Sequence, residues 1–148
     1  MIIDTSVLSG IVSKNPDVRL GLMAYLTLDD VKTSSIVIYE IEFGLIRKNA
    51  LGALERFRKY CANIEVISVN TEIAQLAAKT KAEQEAKGKT FHTEDLLIGA
   101  TAKFLNEEIV TFNVKDFAHW GLRVSQPRTS SEIAANADKI LEESKKRT

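Results

Sequence analysis

Short segments rich in β-branched residues alternate with longer segments of helical periodicity along most of this chain. The strand candidates are "MII", "VKTSS", "IEVISV", "EIVTFN" and "LRVSQ", and the helix candidates between them include "IVIYEIEFGLIRKN" and "TEIAQLAAKTKAEQEAKG". Parallel strands need crossover connections, usually helices, so this alternation predicts an α/β fold. We expect three layers: a small parallel sheet with helices on both faces. The length of 148 residues allows one domain with a sizeable core.

Capping signals place the predicted helix ends. Asn15 followed by Pro16 is typical of a helix start, Thr93 is the predicted cap of "TEDLLIGATAKFLN", and Gly88 ends the long helix before it. Beyond Pro127, the pair Thr129 and Glu132 forms a capping box. We therefore predict a main domain over residues 1–127 and an extra C-terminal helix over 128–148, docked on the domain or facing a partner.

The composition limits the classes of function. Lysine plus arginine and aspartate plus glutamate each total 20, which argues against a simple basic coat for nucleic acid. The longest apolar runs fall far short of the roughly 18 residues of a membrane helix. The acidic start "MIID" does not resemble a signal peptide. Cys61 is the single cysteine, so no internal disulfide can form. We expect a cytoplasmic protein with no membrane partner.

Four acidic residues stand in apolar surroundings where a solvated acid is not expected. Asp4 follows two isoleucines, Glu40 lies inside "IVIYEIEFG", Asp95 precedes "LLIGATA", and Asp116 separates "IVTFNVK" from a phenylalanine. Buried carboxylates are costly unless they are paired or bound to a metal. Asp4 and Asp116 follow predicted strands and Asp95 lies in a first helical turn, positions that converge at one edge of an open α/β sheet.

Two glycines accompany these acids. Gly44 lies four residues after Glu40, and Gly99 lies four residues after Asp95, so each glycine is one helical turn from its acid. One interpretation is that each glycine lets its helix approach the sheet closely while the acid projects into a cleft. The alternative is that the glycines only ease helix packing.

Converging carboxylates repel one another, and a hard divalent cation relieves the repulsion. Mg²⁺ or Mn²⁺ fits an all-oxygen set best. Zinc fits poorly, because His92 and His119 are the only histidines and show no ligand spacing; we interpret both as surface or structural residues. Two neighbouring acids are expected to lie outside the cluster. Glu42 faces about 200° away from Glu40 on the same helix, and Glu94 complements the helix dipole.

Taken in order, "IIDTSVL", "TSSIVIYEIEFGLIRK", "TEDLLIGATAK" and "IVTFNVKDF" resemble the PIN domain, and more narrowly the VapC-type toxins of bacterial toxin–antitoxin pairs. The resemblance covers residues 1 to about 127. It implies a Mg²⁺- or Mn²⁺-dependent endoribonuclease that hydrolyses RNA with a metal-activated water. It also implies two protein partners, a cognate antitoxin and a second copy in a homodimer.

The resemblance also assigns individual residues. Asp4, Glu40 and Asp95 match the family's three metal-site acids, and Asp116 matches the more variable fourth. Supporting polar residues fall at three positions: Ser6, Thr111 and Asn113. Phe112 stands where a basic residue is common in the family, which counts against a phosphate contact there.

Five basic residues are candidates for steering the RNA backbone: Arg47, Lys48, Arg56, Arg58 and Lys59. The alternative is that they form a solvated helix face. Two other functions compete with the nuclease. A non-catalytic PIN-like module that binds RNA or a partner predicts missing acids, and none is missing. A receiver-like phosphoacceptor domain needs an aspartate after a middle strand, but "IEVISVN" ends in Asn70.

Overall fold

The computed structural model describes residues 1–28, 30–118 and 120–127, and the centre of this part of the chain is a parallel sheet of five short strands. In chain order the strands are β1 (Ile2–Ile3), β2 (Lys32–Ser34), β3 (Glu65–Ile67), β4 (Ile109–Val110) and β5 (Val124–Ser125). Their spatial order is β3-β2-β1-β4-β5, and each neighbouring pair is parallel. The predicted parallel sheet is confirmed, with the N-terminal strand at its centre.

Helices connect the strands. They are α1 (Thr5–Leu8), α2 (Pro16–Leu28), α3 (Ser35–Arg47), α4 (Leu51–Cys61), α5 (Thr71–Ala86) and α6 (Thr93–Phe104), with 3₁₀ helices over Ser9–Val12 and Val114–Asp116. From β1 to β3 the chain moves towards one edge of the sheet, and it then returns to place β4 on the other side of β1. Because crossovers between parallel strands are almost always right-handed, this reversal puts the helices before and after it on opposite faces.

The core explains why the central strands carry consecutive apolar residues. Both residues of β1 and both residues of β4 are fully buried. A strand covered by helices on both faces must be apolar at every position, so "II" and "IV" replace the alternation of a half-exposed strand. Phe57 and Phe117 are also fully buried, and each large side chain of this kind stabilises the fold by about 1.5–3 kcal/mol. Burial raises the pKa of the half-buried Cys61 to about 11, so its thiol is protonated and unreactive at neutral pH.

Several predicted boundaries are confirmed. The Asn15 side chain accepts a hydrogen bond from the Asp17 N–H at 3.0 Å, which caps α2. Gly88 has a φ of +75°, the left-handed conformation that ends α5. The predicted cap at Thr93 is wrong by one residue: Thr93 begins α6, and His92 occupies the N-cap without a side-chain hydrogen bond.

The four predicted strands after the first are all longer than the observed strands, and for two of them a side-chain hydrogen bond accounts for the early end. The strand "IEVISV" pairs only over β3, and the Asn70 side chain then accepts the Ile73 N–H at 2.9 Å to start α5. The strand "EIVTFN" pairs only over β4, because the Thr111 hydroxyl accepts the Asn113 N–H at 2.9 Å and turns the chain. His119 and the predicted C-terminal helix over 128–148 lie outside the described residues.

The two glycines that follow the acids have different roles. A Cβ on Gly99 would lie 2.2 Å from the Trp120 ring, so Gly99 makes room for an indole that packs on α6. A Cβ on Gly44 would meet nothing within 4 Å, so no close approach requires this glycine. The prediction that both glycines bring their helices close to the sheet is therefore wrong for Gly44, and at Gly99 the partner is Trp120. In the described part of the chain, no helix is both long and apolar enough to span a bilayer.

Candidate active site

The candidate site lies where the strand order reverses, between β1 and β4. Asp4 follows β1 directly, and Thr111 follows β4 directly. The two strands pair in register, with Ile3 opposite Val110, so the two polar residues leave the sheet side by side. In open α/β sheets, the crevice at the carboxyl ends of the strands on either side of such a reversal is where ligands bind.

Asp4 is buried, with 4% of its surface exposed, and its carboxylate is held by two hydroxyls. The Ser6 hydroxyl donates to Oδ2 at 2.9 Å, and the Thr111 hydroxyl donates to the same oxygen at 2.7 Å. Among the described residues, no hydrogen-bond donor reaches Oδ1. The protein therefore anchors one oxygen of this carboxylate and leaves the other available to a ligand.

Backbone N–H groups fix the direction of these two hydroxyls. The Phe112 N–H donates to Ser6 Oγ at 3.1 Å, and the Asn113 N–H donates to Thr111 Oγ1 at 2.9 Å. Because each hydroxyl oxygen already accepts a backbone proton, its own proton is directed to Asp4. Ser6, Thr111 and Asn113 were predicted as supporting residues, and this network brings all three to Asp4, Asn113 through its backbone.

Glu40 lies on α3, and the hydroxyl of Thr5 on α1 donates a hydrogen bond to Oε2 of its carboxylate. Burial raises the pKa of Glu40, even though the Thr5 hydrogen bond acts in the opposite direction. The negative charges of Asp4 and Glu94 raise this pKa further. Glu40 therefore lies close enough to Asp4 and Glu94 for their negative charges to affect its pKa.

The pKa of Asp95 is raised from its ordinary value of 3.8 to about 6. Burial is the largest cause, followed by the negative charges of Asp116, Asp4 and Glu40. The structure therefore brings all four predicted acids into one electrostatic cluster. We call Asp4, Glu40, Asp95 and Asp116 the acidic cluster. Among the described residues, no three acids, histidines or cysteines lie close enough to hold one metal ion, so the cluster is not a closed cage.

Two residues belong beside the acidic cluster although their sequence positions suggested other roles. Glu94 was interpreted as a dipole partner alone, but its charge raises the pKa of Glu40. His92, interpreted as a surface or structural residue, is exposed and lowers the pKa of both Asp95 and Glu40. The only sequence signal for either residue was its adjacency to Asp95. Glu42, by contrast, accepts two hydrogen bonds from Arg58, at 2.9 and 2.7 Å, and is engaged outside the cluster as predicted.

A cleft of about 490 Å³ contains Glu40 and is lined partly by basic residues. Lys14, Lys48 and Arg56 line it together with Gly44, whose missing side chain leaves the cleft open. A second cleft of about 400 Å³ contains Asp95 and Asp116 and is lined by His92, Lys89 and Lys115. The acidic cluster thus contributes Glu40 to one cleft and Asp95 and Asp116 to the other, and basic residues line both.

The five predicted RNA-contacting residues separate into two groups. Lys48 and Arg56 line the cleft that contains Glu40. The other three are engaged elsewhere: Arg47 lies 5.6 Å from the centre of the Phe43 ring, Arg58 binds Glu42, and Lys59 pairs with Glu55 at 3.0 Å. Sequence patterns did not single out Lys14, Lys89 and Lys115. Lys14 is distant along the chain from Glu40, whereas Lys115 directly precedes Asp116 and could have been found by that adjacency.

This chain is similar to known proteins both in sequence and in structure. The family model described as the PIN domain matches residues 1–120. Ribonuclease VapC2 of Rickettsia felis is 26% identical over 117 residues, which cover 78% of this chain and 87% of that protein.

Solved structures share the fold. The VapBC2 complex of Rickettsia felis bound to a DNA fragment from its promoter has a TM-score of 0.74 at 22% identity, covering 86% of this chain and 98% of that one. The Mycobacterium tuberculosis toxin VapC20, which cleaves the sarcin–ricin loop, has a TM-score of 0.68 at 16% identity, covering 85% and 98%. At these identities the likeness establishes the architecture.

Proposed function

The chain belongs to the PIN domain family, and from that premise we propose that it is a metal-dependent endoribonuclease, the toxin of a VapBC-type pair. The observation that carries the proposal is the acidic cluster at the sheet's reversal point, where the pKa of Asp95 is raised to about 6 by burial and by three other carboxylates. Perturbed carboxylates in a cleft are a recognised mark of a functional site. Ribonuclease VapC2, the relative at 26% identity, supports the same reaction.

The acidic cluster fits Mg²⁺ or Mn²⁺ by its chemistry. All four side chains offer oxygen, the ligand that these cations prefer. Asp4 Oδ1 receives no hydrogen bond from the described residues, and the ionised form of Asp95 is destabilised by the charges of its neighbours. A cation bound to these two carboxylates would stabilise both. We assign Asp4 and Asp95 as its principal ligands. Glu40 and Asp116 would orient the attacking water, because no three of the described acids lie close enough to hold one ion together. When bound, it would supply an activated water and neutralise charge on the phosphate.

The protein's own groups prepare this chemistry. Ser6 and Thr111 fix the orientation of Asp4 from two elements, α1 and the end of β4. Thr5 does the same for Glu40. These hydroxyls act through the carboxylates they orient, so they are positioning residues. No side-chain nucleophile is needed, because water is the attacking group in the proposed hydrolysis.

The two clefts provide a path for the RNA backbone across the acidic cluster. Lys14, Lys48 and Arg56 would contact phosphates on the side of Glu40, and Lys89 and Lys115 on the side of Asp95 and Asp116. Such contacts supply salt-dependent affinity without sequence preference. They also suit a chain of balanced charge, because only five of its 20 lysines and arginines are needed in the two clefts to contact the polyanion.

We assign two protein partners. A cognate antitoxin would cover the acidic cluster with a cationic side chain and so inhibit cleavage, in line with the solved VapBC complexes that share this fold. A second copy would form a homodimer, for which the exposed apolar residues Tyr39, Phe43 and Ile46 on α3 provide area. Light scattering that gives the mass of a single chain would count against the homodimer. We place the protein in the cytoplasm, where its substrates and antitoxin are made.

The test is cleavage of single-stranded RNA by the purified protein with Mg²⁺ or Mn²⁺, followed by gel electrophoresis. Asp95→Asn should reduce the rate by more than the roughly 10- to 100-fold typical for loss of a residue that supports a metal ligand. Glu42→Gln is the matched control, since it removes an acid that is paired with Arg58, and it should cleave at the wild-type rate. Addition of the antitoxin should suppress cleavage.

Two results would contradict the proposal. Cleavage that persists unchanged in excess EDTA would exclude the metal mechanism. RNA binding without cleavage, in the wild-type protein and under every metal condition, would favour the non-catalytic binding module.

A further inference from the structure

Phe112 is a large apolar residue that is 58% exposed, and its backbone is hydrogen-bonded to the network that holds Asp4. The residues before it, Ile109, Val110 and Thr111, are all fully buried, so the chain emerges abruptly into solvent at this point. Among the described residues, no second ring and no guanidinium stacks on Phe112. Phe43, another exposed phenylalanine, stacks with Tyr39 and Arg47 instead.

The backbone of Phe112 is fixed relative to Asp4. Its N–H donates to Ser6 Oγ at 3.1 Å, and the Ser6 hydroxyl donates to Asp4 Oδ2 at 2.9 Å. Thr111 before it and Asn113 after it are joined by a hydrogen bond of 2.9 Å, and Thr111 also donates to Asp4. An aromatic residue is therefore held one hydroxyl away from the carboxylate that we assign to the metal. Exposed aromatic residues are common on protein surfaces, but this one is built into the site's hydrogen-bond network.

We infer that Phe112 is a stacking platform for a nucleobase adjacent to the scissile phosphate, an inference that rests on the proposed ribonuclease function. The acidic cluster and the basic clefts act on phosphates, and none of these groups accounts for an exposed apolar residue whose backbone joins the network around Asp4. A phenyl ring offers a flat face to any of the four bases, and its burial against a base removes apolar surface from water. Stacking requires a base that is free of its own helix. The substrate class is therefore RNA with an unpaired nucleotide beside the cleavage site.

The test is a cycle that removes the ring, the base or both. The substrate is a single-stranded RNA oligonucleotide with one mapped cleavage site, together with versions that carry an abasic ribose at each nucleotide flanking that site. Affinity is measured by fluorescence anisotropy in EDTA, and kcat and KM are measured with Mn²⁺. Phe112→Ala should weaken binding of the intact RNA by about 5- to 150-fold, the range typical of one base–aromatic stack.

At one flanking position, the abasic substitution should weaken wild-type binding by a similar factor and leave Phe112→Ala unaffected. Phe112→Trp should bind the intact RNA like wild type. Phe112→Leu retains apolar bulk but has no aromatic face, so it should bind like Phe112→Ala. The matched control is Phe104→Ala, which removes an exposed ring at the opposite end of α6, about 14 Å along the helix from Asp95. It should not change binding.

Two outcomes would overturn the inference. If Phe112→Ala binds the intact RNA within twofold of wild type, no base stacks on the ring. If each abasic substitution weakens RNA binding by Phe112→Ala as much as it weakens binding by wild type, the ring does not stack on any of the flanking bases. Either result with an active wild-type enzyme leaves the proposed function standing. A wild-type protein that neither binds nor cleaves RNA would overturn both.

Discussion

Neutralising Asp95 should stabilise the metal-free protein, although it should abolish the proposed activity. Asp95 is half-buried, and its pKa is raised from 3.8 to about 6 by burial and by the charges of Asp116, Asp4 and Glu40. The charged form is therefore less stable in the folded protein than in the unfolded chain. Asp95→Asn keeps the size of the side chain and removes the charge.

The magnitude follows from the pKa. A tenfold change in proton affinity corresponds to about 1.4 kcal/mol. Because Asp95 is only half-buried, solvent screens part of the repulsion, so ionised Asp95 lowers the free energy of unfolding by roughly 2–3 kcal/mol at pH 7.5. Between about pH 6 and pH 3.8 the folded state binds more protons than the unfolded state, so this destabilisation is lost as the pH falls. At pH 4.5 it should be only about 1 kcal/mol. Because asparagine still loses some hydration, we expect a net gain of about 1–3 kcal/mol at pH 7.5.

The measurement is thermal unfolding of wild type and Asp95→Asn in EDTA at pH 7.5 and pH 4.5. For a domain of this size, 1–3 kcal/mol corresponds to a rise in Tm of roughly 3–10 °C at the higher pH. The control is Glu72→Gln in the first turn of α5, since Asp95 occupies the first turn of α6. Both substitutions remove a favourable interaction with a helix dipole, worth about 0.3–1 kcal/mol. Glu72→Gln should therefore melt slightly lower than wild type.

The reasoning is refuted if Asp95→Asn melts below wild type at pH 7.5 by as much as the control does. It is also refuted if the difference between Asp95→Asn and wild type is the same at both pH values. In either case the folded protein would not disfavour the ionised form of Asp95, and the repulsion within the acidic cluster would be absent.

Two further predictions concern the fold and are checked by urea unfolding. Gly99→Ala should lower the free energy of unfolding by about 1–3 kcal/mol because its Cβ would overlap the packed tryptophan ring, whereas Gly44→Ala, with open space around it, should raise it by up to about 1 kcal/mol; equal effects would contradict this difference. Lys32→Met should cost about 1–3 kcal/mol, because it removes the ammonium that lies 2.6 Å from the largely buried carboxylate of Glu107 and leaves the N-terminal amine of Met1 as its cationic partner. Lys59→Met, which breaks an exposed ion pair, should cost less than about 1 kcal/mol, and a loss as large as that of Lys32→Met would show that burial is irrelevant here.

The sheet could be predicted because its signals are local. Consecutive isoleucines in β1 and the apolar pair in β4 reflect burial on both faces, and the helices between strands reflect parallel pairing. Strand ends were predicted less well, because a strand ends where a side-chain oxygen accepts a hydrogen bond from a nearby backbone N–H and redirects the chain. Thr111 and Asn70 both do so, the first by turning the chain and the second by capping α5. β-branched residues continue in the sequence beyond the observed strand ends, so they do not show where the strands stop.

The four acids of the candidate site could be identified from the sequence because each stands among apolar residues. What the sequence could not supply was the pairing between distant residues. Arg58 binds Glu42 across 16 positions of the chain, a partner for this RNA-contacting candidate that no sequence spacing indicated. Trp120 fills the space beside Gly99 across 21 positions, which changes the reason for that glycine. Lys115 shares a cleft with Asp95 for the same reason: contacts between elements follow from packing and leave no periodic signal along the chain.

The acidic cluster combines one fixed carboxylate with others that are held less firmly. Two hydroxyls, themselves oriented by backbone N–H groups, fix Asp4, so its position is set by the fold. Glu40 accepts one hydrogen bond from a hydroxyl, and the ionised form of Asp95 is destabilised by the neighbouring charges. A bound cation would therefore stabilise these two carboxylates more than it stabilises Asp4. A cation that binds only the folded protein would then stabilise it, by about 2.7 kcal/mol at a hundredfold excess over its dissociation constant. Protons compete with the cation for the Asp95 oxygens near pH 6, so that stabilisation should be smaller at acid pH. The neighbouring charges that raise the pKa of Asp95 therefore also make metal affinity depend on pH in this range.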